Sequence, residues 1–210
     1  MKKLFAVMSI LCATYALQAS TDYYVMFSVF SPGQIPVAKS SIDGVCLNLL
    51  YGEVQNINGL SFGIGCSRVR ERMNGLQLNG GNVVGSAMAG AQLGFVNLIE
   101  SDMAGFQCAL WNDVSAYGDG FQLGVCNTAS NFGGLQLGCV NIANKMTGCQ
   151  LGLFNWESAA SENTAASDHF CGLQLGLVNW AYQMRGVQIG LLNFIDDQRL
   201  FCFPFVNGRF

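Results

Sequence analysis

The chain is expected to be all-β, a flat two-sided parallel β-solenoid of about eleven coils of 14–15 residues with a cap at each end, and three observations lead there. Glycines at 44, 59, 75, 90, 105, 120, 134, 148, 172 and 186 open copies of one unit, spaced 14–16 residues apart with one spacing of 24. Within a unit the second, fourth and sixth places are apolar while the first, third and fifth are Gly, Gln and Gly, which is the period of a strand. Like residues also recur at like places, Gln third in eight units and Asn eighth in nine.

Taken in order, Lys2 and Lys3 precede an apolar run from Leu4 to Leu11, and Leu17 and Ala19 stand at cleavage positions, so residues 1–19 read as a secretory signal peptide. Cys12 follows Ser9-Ile10-Leu11, without the small residue that a lipoprotein anchor needs. Residues 20–43 form an N-terminal capping segment, with the apolar stretch Tyr23 to Phe30 and with Pro32 and Pro36 ahead of the first unit. The tandem array occupies 44–199. About eight residues of strand at ~3.3 Å each nearly exhaust what the rest of a unit can span on its return, so each coil is flat. Stacking coils ~4.8 Å apart sets identical residues over one another as ladders. An antiparallel β-meander would not bring like places together. An outer-membrane β-barrel is the other alternative, although counting back by twos from Phe210 gives the wrong apolar phase for its last strand. Residues 157–171 read as an inserted loop, and 200–210 as an altered eleventh copy acting as C-terminal cap, with Phe201, Phe203 and Phe205 in core places and Pro204 guarding the edge.

The composition is apolar and charge-poor, 51% hydrophobic and 11% charged with a net charge of -3, which leaves no basic footprint for nucleic acid. The part after the signal holds no apolar run of 18 residues, so no transmembrane helix is expected. Of nine cysteines, Cys108, Cys139 and Cys149 take apolar, core-facing places, whereas Cys46 and Cys202 fall on the outward Gln place and Cys66 replaces an Asn, making those three the candidates for bridges. With no Cys-x-x-Cys pair and a single histidine, neither a metal site nor a cofactor is expected.

Two surfaces are candidates for binding. If the even places face the core, a flat Gly/Gln face points outward through Gly94, Gln122, Gly124, Gln136, Gly138, Gln150, Gly152, Gln174 and Gly176, and glycine within a strand marks close approach by a partner, the envelope or a second copy. The second is the inserted loop, with Glu157, Glu162, Asp168 and His169. His169 near Cys171 is the one pairing that suggests a hydrolase, but the oriented base and oxyanion site of a nucleophilic enzyme are not visible, so no enzyme is expected. Arg68, Arg70 and Arg72 around Glu71 read as solvated turn charges.

The units 134–141, 172–179 and 186–193 resemble those of bacterial exported surface-repeat proteins with tandem G-x-Q-[LI]-G-[LIV]-x-N segments, over roughly 44–207. The resemblance implies a location at the cell surface or outer membrane, with the periplasm as alternative, and no catalysis. The expectation is therefore a non-enzymatic structural or adhesive element, against a membrane barrel acting as pore or anchor and, remotely, an exported hydrolase. Units one to three depart most, with Tyr51, Cys66 and Asn79 breaking the columns.

Overall fold

A computed structural model describes residues 22–31, 33–158, 170–196 and 202–209; the expected signal peptide, Pro32, Glu162, Asp168, His169, Phe201 and Phe210 lie outside them. The described residues contain no helix, and the chain winds as a parallel β-solenoid of about eleven turns. The meander and the barrel are thereby excluded, because neighbouring coils pair in parallel and the interior is filled by side chains.

Each coil contributes one strand to each of two columns. The first column stacks β1 (Asp22–Phe30), β3 (Ser41–Asn48), β5 (Asn56–Gly63), β7 (Arg72–Leu78), β9 (Ala87–Leu93), β11 (Met103–Leu151), β13 (Phe170–Leu175) and β15 (Met184–Ile195). The second stacks β4 (Tyr51–Val54), β6 (Cys66–Val69), β8 (Gly81–Val84), β10 (Val96–Ile99), β12 (Phe154–Glu157) and β14 (Val178–Ala181), together with parts of β11 and β15. Register is kept residue for residue: Gly148 lies beside Gly172 and Gly172 beside Gly186, just as Asn155, Asn179 and Asn193 align. The opening glycines are required by this stacking, since Gly148 has a φ of 132° and a Cβ there would collide with the carbonyl oxygen of Gly134.

The interior reverses one expectation. Gln77, Gln92, Gln107, Gln122, Gln136, Gln150, Gln174 and Gln188 are fully buried, whereas the leucines that alternate with them face outward. The reason is hydrogen bonding. Each amide from Gln92 onward donates from Nε2 to Oε1 of the Gln one coil earlier at 2.7–3.0 Å. The Asn column forms a second ladder, from Asn82 to Asn193, whose Nδ2 groups donate to the next coil at 2.8–3.0 Å. The two ladders therefore run with opposite polarity. Further donors reach the opposite column: Asn155 Nδ2 reaches Leu175 O of the next coil at 3.0 Å, and Gln188 Nε2 reaches Phe194 O of its own coil at 3.0 Å. Amides that satisfy one another from coil to coil are cheap to bury, and hydrophobicity by itself does not register that.

The amides fill the half of the interior next to one turn. Next to the other turn lies the apolar half, where Ile57, Met73, Met88, Met103, Phe132, Met146, Phe170 and Met184 are buried, facing Val69, Val84, Ile99, Val114 and Ile195. The irregular first units stack just as well. The extra residue of the second unit shifts register, so Ser67 and not Cys66 aligns with Asn82. Asn48 and Asn79 then supply the missing amides: Asn48 Nδ2 donates to Ser61 Oγ at 3.0 Å, and Asn79 Nδ2 donates to Asn82 Oδ1 at 2.9 Å, joining the ladder.

Both ends are closed by antiparallel strands. At the first, β2 (Gly33–Ile35) folds back on β1 and its Gln34 side chain acts as a strand edge, accepting from Glu53 N at 3.0 Å and donating to Glu53 O and to Pro36 O. At the other, residues 202–209 are not an eleventh coil but β16 (Cys202–Arg209), antiparallel to β15. Reversal of direction takes Phe203 and Phe205 out of the core into solvent, and leaves Pro204 at the break in pairing between Gly190 and Asn193.

Replacing Gln122 with Leu leaves Gln107 Oε1 without its donor and Gln136 Nε2 without its acceptor in a closed interior and should cost about 3 kcal/mol, whereas Leu123→Gln on the outer face should cost less than ~1 kcal/mol. Denaturation midpoints of the two variants check this order, which would invert if leucine formed the core.

Candidate functional site

With glutamine inside, the proposed Gly/Gln face is not a surface. Gln122, Gln136, Gln150 and Gln174 have no exposure, and Gly94, Gly124, Gly138, Gly152 and Gly176 abut the Asn ladder: a Cβ on Gly152 would meet Gly138 O and, at 2.6 Å, Asn141 Nδ2. Close approach is indeed why these positions are glycine, but the approaching group is the preceding coil. Gly152→Val should therefore lower the melting temperature sharply, with loss of β circular dichroism at 37 °C as the readout, and should not merely release a partner.

What the solenoid presents outward is apolar. Leu50, Phe95, Leu110, Val125, Leu153, Leu177 and Leu191 are 46–68% exposed and line one turn from the first coil to the last. The flanking columns carry no charge: on one side stand Leu78, Leu93, Leu123, Leu137, Leu151, Leu175 and Ile189, and on the other Val96, Trp111, Val140, Phe154, Val178 and Leu192. Soluble proteins seldom expose an apolar strip of this extent without a use for it. Backbone groups in this turn are bonded from coil to coil, Leu110 N to Phe95 O and Leu177 N to Leu153 O at 3.0 Å each. Period-two alternation in the sequence carried the signal for this edge, which was assigned instead to the core.

The charges gather elsewhere, on the outer face of the second column, the opposite turn and the residues just past it. There Arg70 Nε meets Glu53 Oε1 at 2.8 Å and Arg68 meets Glu100 at 3.4 Å, so these arginines are matched by acids from other coils. Such exposed pairs are worth little each. A shallow polar groove of about 480 Å³ lies beside them, lined by Asn56, Asn58, Glu71, Arg72 and Asn74. Trp156 and Trp180 stack at 4.8 Å on the outer face of the second column, with Phe194 a further 5.2 Å along.

Of the loop residues, Glu157 is described and it is buried, not offered to a ligand. It occupies a core column between Ala143 and Ala181, whose small side chains leave room for it. Elsewhere in that column the next amide bonds to the preceding backbone carbonyl, as Asp196 N does to Ala181 O; where the inserted loop departs, Glu157 Oε2 takes that role and accepts from Tyr182 N at 2.9 Å. Burial raises its carboxyl from 4.5 to about 7, opposed by the backbone amides of Tyr182 and Gln183. Because the folded-state value lies above the unfolded one, this group favours folding least when ionised. Its contribution should fall by about 3 kcal/mol as pH rises from 4.5 to about 7. Glu157→Gln should remove that slope and stabilise the protein above pH 7 while changing little at pH 4, as urea midpoints across the range would reveal.

The cysteines depart from expectation through the same reversal of faces. Cys46 lies in the closed interior, where burial pushes its thiol up to about 12, and is no candidate for a bridge. Cys139 is exposed and Cys108 and Cys149 are half-buried, all outside the core; Cys66 and Cys202 are also reachable, and every described cysteine is a free thiol. Cys171 is exposed beside Thr147 and Arg185. Among the described residues no three His, Cys, Asp or Glu side chains cluster as a metal site would require. No protein family, curated protein or solved structure matches the chain.

Proposed function

We propose that the protein is a non-enzymatic exported repeat protein of the cell envelope, with a structural or adhesive role, held in place through its apolar edge. The observation that supports this is the uncharged strip that runs the length of the stack while charges collect on the outer face of the second column and around the opposite turn. A repeat that sets the same residue at the same place in every coil builds a uniform surface and not a convergent pocket, which suits attachment better than catalysis. The signal-like start and the resemblance of the units to exported surface-repeat proteins agree with this location.

Fractionation of the native host tests the reading. The wild-type chain is expected to sediment with envelopes at neutral pH, and a variant carrying Leu110→Ser, Leu153→Ser and Leu177→Ser to be released with its β circular dichroism intact. Recovery of the wild type in the soluble fraction would refute it.

A further inference from the structure

We propose that the occupant of the apolar edge is the hydrocarbon of a lipid bilayer, into which the solenoid settles lengthwise along its Leu/Phe turn; this rests on the envelope reading above and names its partner. Four features carry it. The apolar surface wraps around a turn, covering both sides of an edge, so a flat protein face would meet one side only, whereas fluid acyl chains reach both. Two such convex edges laid together would share a strip of about 43 Å by ~10 Å, roughly half of the ~800 Å² that each partner of a stable complex gives up.

Along the edge the backbone is already bonded from coil to coil, and the Gln and Asn columns beneath it bond to one another, so these groups keep their partners when the edge leaves water. That condition separates a surface able to enter hydrocarbon from one merely rich in leucine. The order of residues away from the edge also matches a bilayer's profile. Leucine and phenylalanine come first, with Trp111 beside them at 51% exposure, and then a band in which Trp156 and Tyr182, 45% and 44% exposed, share their columns with the ion-paired Glu53, Arg68, Arg70 and Glu100. Finally, with no lysine or arginine in the apolar columns, attachment is hydrophobic and owes nothing to lipid charge.

The test is flotation of the purified, signal-processed chain with vesicles of neutral phosphatidylcholine, at low salt and at about 1 M salt. Expected are flotation at both salt levels, a blue shift of tryptophan emission, and a fall of about tenfold or more in bound fraction for the variant Leu110→Ser, Leu153→Ser, Leu177→Ser. Arg70→Ser with Arg72→Ser should float like the wild type. If the triple variant misfolds by circular dichroism, Phe95→Ser with Leu191→Ser replaces it. Absence of flotation, flotation that needs anionic lipid and is lost in salt, or undiminished flotation of folded edge variants would overturn the proposal. A chain that is dimeric in solution and does not float would give the edge to a second copy. Sedimentation with envelopes without flotation would sink the lipid assignment alone; a soluble chain would sink both readings.

Discussion

From the third unit onward one amide hydrogen bond passes from coil to coil in each of two columns, and the position of everything else follows from that repetition. A side-chain amide has donors and acceptors enough to bond above, below and across, so a column of glutamines or asparagines at strand spacing is closed on itself. Once those columns take the interior, the strand's other face must be the outer one, and the leucines go with it. The stacked glycines, which let coils approach without a Cβ between them, keep the spacing at which the amides meet.

The repeat, its strand character and its parallel stacking were legible from the glycine spacing and the Gln and Asn columns. Which face points inward was misread because leucine was weighed above glutamine. A corrective signal was present in the sequence: Met73, Gly75 and Gln77, like Met184, Gly186 and Gln188, stand two residues apart, so a buried methionine obliges its glutamine to be buried too. The roles of Asn48, Asn79 and Ser67 were not legible in the same way, because a one-residue shift of register in the second unit decides them. Glu157 looked like a loop residue because the insertion follows it directly; its burial depends on a lost backbone acceptor and on two neighbouring alanines from other coils.

The cross-section inverts the usual arrangement on one side. Beneath the apolar edge lie the amides, and beneath the charged turn lie methionine, isoleucine and valine. Each half is consistent on its own terms, since paired amides need no water and the apolar half packs as an ordinary core. Together they give a rod whose two long edges differ in character although every coil follows one pattern.

The opposed polarity of the two ladders has a consequence for size. Amide dipoles aligned along a stack would add up, and every further coil would enlarge the charge separation between its ends, as in a lengthening helix. Here the glutamine column donates toward the first coil and the asparagine column toward the last, so each added coil brings two dipoles that oppose one another. Length is then electrostatically neutral. Whole coils could be gained or lost by duplication or deletion of a unit, with the same two caps fitting any rod that results.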